Sequence, residues 1–126
     1  MIRRFVVAAL AALVVVAGAG ARPAQDPGVT PATVLLGGTV PLTGEAAAFG
    51  SVGAGAKAYF DYVNETSRVH GRRISYTFYD DAYNPAQTVQ LTRKLVEEDK
   101  VFAVFNTVGT SNSLAVREYL NARKVP

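Results

Sequence analysis

The sequence predicts an α/β fold, a Rossmann-like parallel sheet with helices on both faces. Three observations carry that reading. Apolar strand-like runs alternate with helix-like stretches in the order β-α-β-α-β-α. The connections are short and suit right-handed crossovers. The run Val101-Phe102-Ala103-Val104-Phe105 is apolar throughout, which marks a central strand of a parallel sheet with both faces covered.

The first strand runs from Val34 to Val40, with Gly37 and Gly38 inside it where a neighbour comes close to the backbone. A helix follows from about Ala46 to Asn64. Its inward face is expected to hold Val52, Ala56, Tyr59, Phe60 and Val63, spaced three and four apart. Gly71 makes a turn. From Ile74 to Asp80, Ile74, Tyr76 and Phe78 alternate with Ser75, Thr77 and Tyr79, a pattern that suits a strand near a sheet edge. Asn84-Pro85-Ala86-Gln87 is a helix start: Asn84 caps, Pro85 fits the first helical position, and Gln87 stands where a capping box needs it. That helix turns Val89, Leu95 and Val96 inward and ends near Asp99. After the third strand, Thr110, Ser111 or Asn112 caps a third helix that turns Leu114, Ala115 and Leu120 inward. The sequence reaches Pro126 where a fourth strand is due, and reads as truncated.

Residues 1–21 carry Arg3 and Arg4, then an uncharged run from Phe5 to Ala21 that ends in Ala and Gly. A positive start, an apolar stretch and a small-residue end form a cleavable secretory signal pattern. Residues 22–33 hold three prolines and read as a linker, which leaves 34–126 as the folded part. The whole chain of 126 residues has 13 Lys and Arg against 10 Asp and Glu, a net charge of +3. Cleavage removes two of those arginines and brings the mature chain close to neutral. The remaining basic residues are scattered, so nucleic acid is not an expected partner. There is no Cys and one His, which excludes thiol catalysis, disulfides and a His cluster for a transition metal.

In open α/β sheets, ligands bind beyond the carboxyl ends of the strands. Here that edge collects three loops: Pro41 to Ser51, Asp81 to Asn84, and Asn106 to Asn112. Gly53-Ala54-Gly55-Ala56-Lys57-Ala58 matches G-x-G-x-x-A, but it lies inside a helix and not directly after a strand, so it reads as small residues for close packing. Asp80-Asp81 with Asn84 reads as a strand end and a cap, not as a metal site. His70 reads as a surface-turn histidine. Asn64-Glu65-Thr66 is a glycosylation sequon by pattern. Gly109-Thr110-Ser111-Asn112-Ser113 lacks the last glycine of a nucleophile elbow. It reads as a hydroxyl-rich loop feeding a helix N-terminus, where free N–H groups and the helix dipole favour an anion such as a carboxylate.

The motifs Gly37-Gly38-Thr39-Val40-Pro41-Leu42-Thr43-Gly44, Phe49-Gly50, Gly53 to Asn64, Asp80-Asp81-x-x-Asn84-Pro85 and Val108-Gly109-Thr110-Ser111 occur in that order. Together they resemble the extracytoplasmic solute-binding proteins of branched-chain amino-acid ABC transporters, the leucine/isoleucine/valine type with the type I periplasmic-binding fold. The resemblance covers the chain from about Thr33 and implies that 34–126 is the incomplete N-terminal part of a first lobe, with a second lobe closing on the solute. It implies a periplasmic or otherwise extracytoplasmic monomer that binds an amino acid or related carboxylate, delivers it to a membrane permease, uses no cofactor and catalyses nothing. A ligand-sensing domain of a receptor or regulator with the same fold is the alternative. By resemblance, Thr110 and Ser111 contact the carboxylate, Gly109 allows close approach, Phe49 lies near the ligand, Thr43 and Gly44 shape the first loop, and Tyr83 borders the cleft. Some members carry a disulfide between the second and third loops. Tyr83 and Val108 stand at about those positions here.

Overall fold

The computed structural model describes residues 26–126. The signal-peptide reading of 1–21 and the start of the linker lie outside them. The elements are β1 (Thr33–Val40), a 3-10 turn (Ala47–Gly50), α1 (Ser51–Thr66), β2 (Arg73–Asp80), α2 (Pro85–Glu97), β3 (Ala103–Val104) and α3 (Thr110–Arg123). Among the described residues the strands form one parallel sheet in the order β2-β1-β3, with Thr33 opposite Arg73, Val40 opposite Asp80, and Leu36 opposite Ala103. The edge position expected for Ile74–Asp80 is observed. The central position expected for Val101–Phe105 is not: β1 is central. The third strand is also short. Its apolar run leaves Phe105 42% exposed, while the Val104 N–H bonds to the carbonyl of Pro126 on the side away from β1. Residues 26–32, read as linker, lie against the sheet. Gly28 meets the backbone of Phe102, and its carbonyl accepts from the Leu35 N–H at 2.7 Å.

The two adjacent glycines of β1 face opposite sides, as strand geometry requires. A Cβ on Gly37 would stand 2.5 Å from the Leu95 side chain of α2. A Cβ on Gly38 would meet the Phe105 carbonyl and stand 2.6 Å from the Tyr76 hydroxyl. Helices therefore press on both faces, α2 on one and α1 on the other. On the α1 side, Phe60 meets Tyr76 and Phe105 edge-on with ring centroids 5.4 Å apart in each pair. Gly53 lies over Phe78 and Val40, which is the close packing expected of the glycine motif, whereas Gly55 faces open space.

The inward faces of the helices match those expected in part: Ala56, Phe60 and Val63 of α1 are half-buried and Leu95 of α2 is buried, while other positions differ. In α1, Gly53 and Asn64 are buried while Val52 and Tyr59 are exposed. The helix comes closest where its side chain is smallest, and that contact sets its rotation. Asn64 donates to the Ile74 carbonyl at 2.8 Å and accepts from the Ile74 N–H at 2.7 Å. With both amide atoms used and only 4% of the residue exposed, the sequon is structural. In α2, Thr88 and Thr92 are buried with Leu95, and Val89 and Val96 are half-buried. In α3, Asn112 and Val116 are buried, Leu120 is half-buried, and Leu114 and Ala115 are exposed.

The crowding around β1 gives an ordered prediction. Gly38→Ala meets a backbone carbonyl that cannot rotate away and should destabilise by about 1–3 kcal/mol. Gly37→Ala meets only the end of the Leu95 side chain and should cost less. Urea unfolding of the two variants checks the order, and equal losses would contradict the packing described.

Candidate functional site

Because the strands are parallel, the loops after β1, β2 and β3 gather at one edge. Two consecutive carboxylates at the end of β2 organise them. The Asp80 carboxylate accepts from the backbone N–H groups of Leu42 (2.8 Å), Thr43 (3.2 Å) and Ala82 (2.9 Å), and from the Thr43 hydroxyl at 2.6 Å. The Thr43 hydroxyl is the main reason its pKa is lowered, with the three backbone donors adding to it against a partial desolvation. Asp81 is fully buried. It accepts from the Tyr83 N–H at 3.0 Å, from the Thr88 hydroxyl at 2.8 Å and from the Asn112 side-chain amide at 3.3 Å. Both carboxylates therefore accept hydrogen bonds within the protein, as the strand-end reading expects.

The second loop is short and tightly determined. Ala82 and Tyr83 both have positive φ, 47° and 59°. This conformation disfavours residues with a side chain, and here the N–H of each is held by one of the two carboxylates. Asn84 caps α2, accepting from the N–H groups of Ala86 and Gln87. The expected capping box does not close. The Asn84 N–H already bonds to the Asp81 carbonyl, and the Gln87 side chain donates instead to the carbonyl of Asp80 at 3.1 Å.

The third loop is fixed at both ends. Asn106 donates to the Val52 carbonyl at the start of α1 (3.1 Å), and the Val108 N–H bonds to the Thr39 carbonyl (3.3 Å). Gly109, at φ 104°, is the residue before α3, and no side chain caps that helix. The hydroxyl cap expected from Thr110, Ser111 or Asn112 is thus absent. Thr110 and Ser111 are exposed in the first turn, and Asn112 is turned inward to Asp81 and the Val108 carbonyl.

Of the residues singled out from the sequence, the structure brings together Gly44, Phe49 and Tyr83. They line an open depression of about 570 Å³ with Glu45, Ala46 and Ala82. Phe49 is 59% and Tyr83 42% exposed. Thr43 adjoins the depression but commits its hydroxyl to Asp80. The Tyr83 ring also packs on Gly109, where a Cβ would stand 2.6 Å from Cε2. The second and third loops, stapled by a disulfide in some proteins of the resembling type, are joined here by a ring resting on a glycine. Thr110 and Ser111 follow directly and do not line the depression. Sequence reasoning missed Glu45, and it read Asp81 as a strand end and Asn112 as a candidate cap without foreseeing the buried bond between them. The signal for that bond was polar residues at positions a packing pattern would fill with apolar ones, whereas Glu45 lies exposed in the first loop and had none.

A parallel α/β layer whose loops build one concave edge is the architecture of a ligand-binding lobe. The chain belongs to the periplasmic binding protein family, whose pattern matches residues 33–126. It is 32% identical over 88 residues to an amino acid binding protein of Pseudomonas aeruginosa, covering 69% of this chain and 24% of that one. It is 30% identical over 88 residues to a leucine-, isoleucine-, valine-, threonine- and alanine-binding protein of the same organism, with the same shares. Among solved structures it is similar to a fatty acid ABC transporter substrate-binding protein from Thermomonospora curvata. That match has a TM-score of 0.70 and 31% identity over 80% of this chain and 26% of the other. The chain spans about a quarter of the length of these relatives.

The lowered pKa of Asp80 sets a pH dependence. The folded-state value lies below the ordinary 3.8, so the stabilisation is fully present above that value and is lost as pH falls through the folded-state one. Asp80→Asn should lower the melting temperature at pH 6, and its gap to wild type should narrow progressively once pH falls below the ordinary 3.8. A gap that stays constant with pH would show that the charge of Asp80 does not hold the loops.

Proposed function

We propose that this chain belongs to the solute-binding component of an ABC importer, exported through the signal sequence in residues 1–21 and working outside the cytoplasm. It holds an amino acid or related carboxylate for delivery to a membrane permease, and does so as a monomer without cofactor or catalysis. Family membership supports the class. The single observation that carries the ligand chemistry is the start of α3. Gly109 delivers the chain into a helix that no side chain caps, directly beside two exposed hydroxyl residues. The first-turn N–H groups and the helix dipole make such a place favourable for an anion. The similar proteins bear on the same point, since amino acids and fatty acids share a carboxylate.

In this reading Thr110 and Ser111 donate to the solute carboxylate, and Gly109 lets it approach the backbone. Phe49 and Tyr83 border the rest of the solute, and Thr43 and Gly44 hold the first loop in shape. The loops at this edge support binding more than turnover, because Asp80 and Asp81 are committed to internal donors and no base stands against a nucleophile.

Thr110→Ala and Ser111→Ala in the full-length protein should each weaken solute binding by about 1.5–3 kcal/mol, the usual worth of a hydrogen bond to a charged group. Both side chains are exposed, so the melting temperature should hold. Calorimetric titration checks it. Unchanged affinity in both variants would remove the assigned site.

A further inference from the structure

We infer that Glu45, Phe49 and Tyr83 recognise an ammonium group at the end of the solute opposite its carboxylate. This rests on the solute-binding reading and adds the class of solute. Glu45 lines the depression with both aromatic residues. Among the described residues it pairs with no basic side chain. The other two carboxylates at this edge, Asp80 and Asp81, spend their oxygens on loop N–H groups and side chains. Glu45 is thus the free negative charge of the depression.

Its position is built. Gly44 turns the chain at φ 81°, the Ala47 N–H bonds to the Gly44 carbonyl at 3.2 Å, and the Phe49 N–H bonds to the Ala46 carbonyl at 2.9 Å. The turn places Glu45 and Phe49 on the wall of one hollow. Exposed aromatic rings alone would accept any apolar tail. A carboxylate among them decides against one, because an aliphatic end would strip water from the charge and return nothing. An ammonium group gains from both the carboxylate and the ring faces. Tyr83 sets the polarity of the solute. Its ring touches Gly109, at the start of α3, and also lines the hollow that holds Glu45. A solute with its carboxylate at α3 therefore extends across Tyr83 towards Glu45.

Calorimetry of the full-length protein with lysine, leucine and glutamate tests this. Lysine should bind at least about tenfold more tightly than leucine, with glutamate weakest. Glu45→Gln should weaken lysine about tenfold and leave leucine within about twofold, with an unchanged melting temperature. Leucine or glutamate binding as tightly as lysine overturns the inference and leaves solute binding standing. So does an equal loss for lysine and leucine in Glu45→Gln, since the carboxylate would then read the α-ammonium common to both. Failure of all three to bind overturns the amino-acid reading and the inference with it.

Discussion

Two adjacent carboxylates at the end of one edge strand hold the loop edge together. Successive residues of a strand point to opposite faces, so Asp80 and Asp81 reach opposite sides of the layer. Asp80 gathers the loop after β1 through Leu42 and Thr43. Asp81 reaches α2 through Thr88 and α3 through Asn112. Between them they also hold Ala82 and Tyr83 in a conformation that neither would adopt freely. One dipeptide thereby fixes the spacing of three loops that are far apart in sequence. A buried carboxylate is costly unless its oxygens are satisfied, so the network around Asp81 either forms as a set or fails as a set.

The same network explains what could be read in the sequence. The order of elements, the parallel sheet, the edge position of β2 and the loop-built rim follow from apolar runs, alternation and the Asn84-Pro85 start, all of which are local signals. The inward faces of the helices are not local. Counting apolar spacings favours Leu114 and Ala115 in α3, but the helix turns Asn112 and Val116 inward because Asp81 needs a donor. It favours Val89 in α2, but Thr88 is buried for the same reason. In α1 the rotation follows Gly53, which lets the helix approach Phe78 and Val40, and leaves Tyr59 outside. The length of β3 was hidden as well. An apolar pentapeptide looks like a full strand, yet only Ala103 and Val104 pair with β1 as a ladder.

The candidate site was legible as a place and less so as a set of contacts. The rule that ligands sit beyond parallel strand ends points to one edge, and Phe49, Gly44 and Tyr83 meet in a depression there. The contact of Tyr83 with Gly109 has no sequence signature, since it depends on left-handed conformations at Ala82 and Tyr83 itself and a glycine at φ 104° opposite. It gives Gly109 a definite reason to be glycine: any side chain there would push the tyrosine off and part the two loops. A ring on a glycine is a weaker tie than a covalent one. The second and third loops therefore rely more heavily on the bond from Asp81 to Asn112 beneath them.

A count of donors and acceptors along the rim shows a polarity that the individual contacts do not. Most acceptors are consumed internally: Asp80 takes four donors and Asp81 three. Donors remain at the uncapped start of α3, and a single acceptor charge remains at Glu45. Tyr83 stands between these two remainders, touching the residue before α3 on one side and lining the hollow on the other. The rim is thus electrically asymmetric, positive at the helix end and negative beside the exposed rings. Asp80 and Asp81 engage their oxygens with internal donors, so Glu45 is the carboxylate of this edge whose oxygens stay open to a ligand. The asymmetry is a property of this loop edge taken by itself.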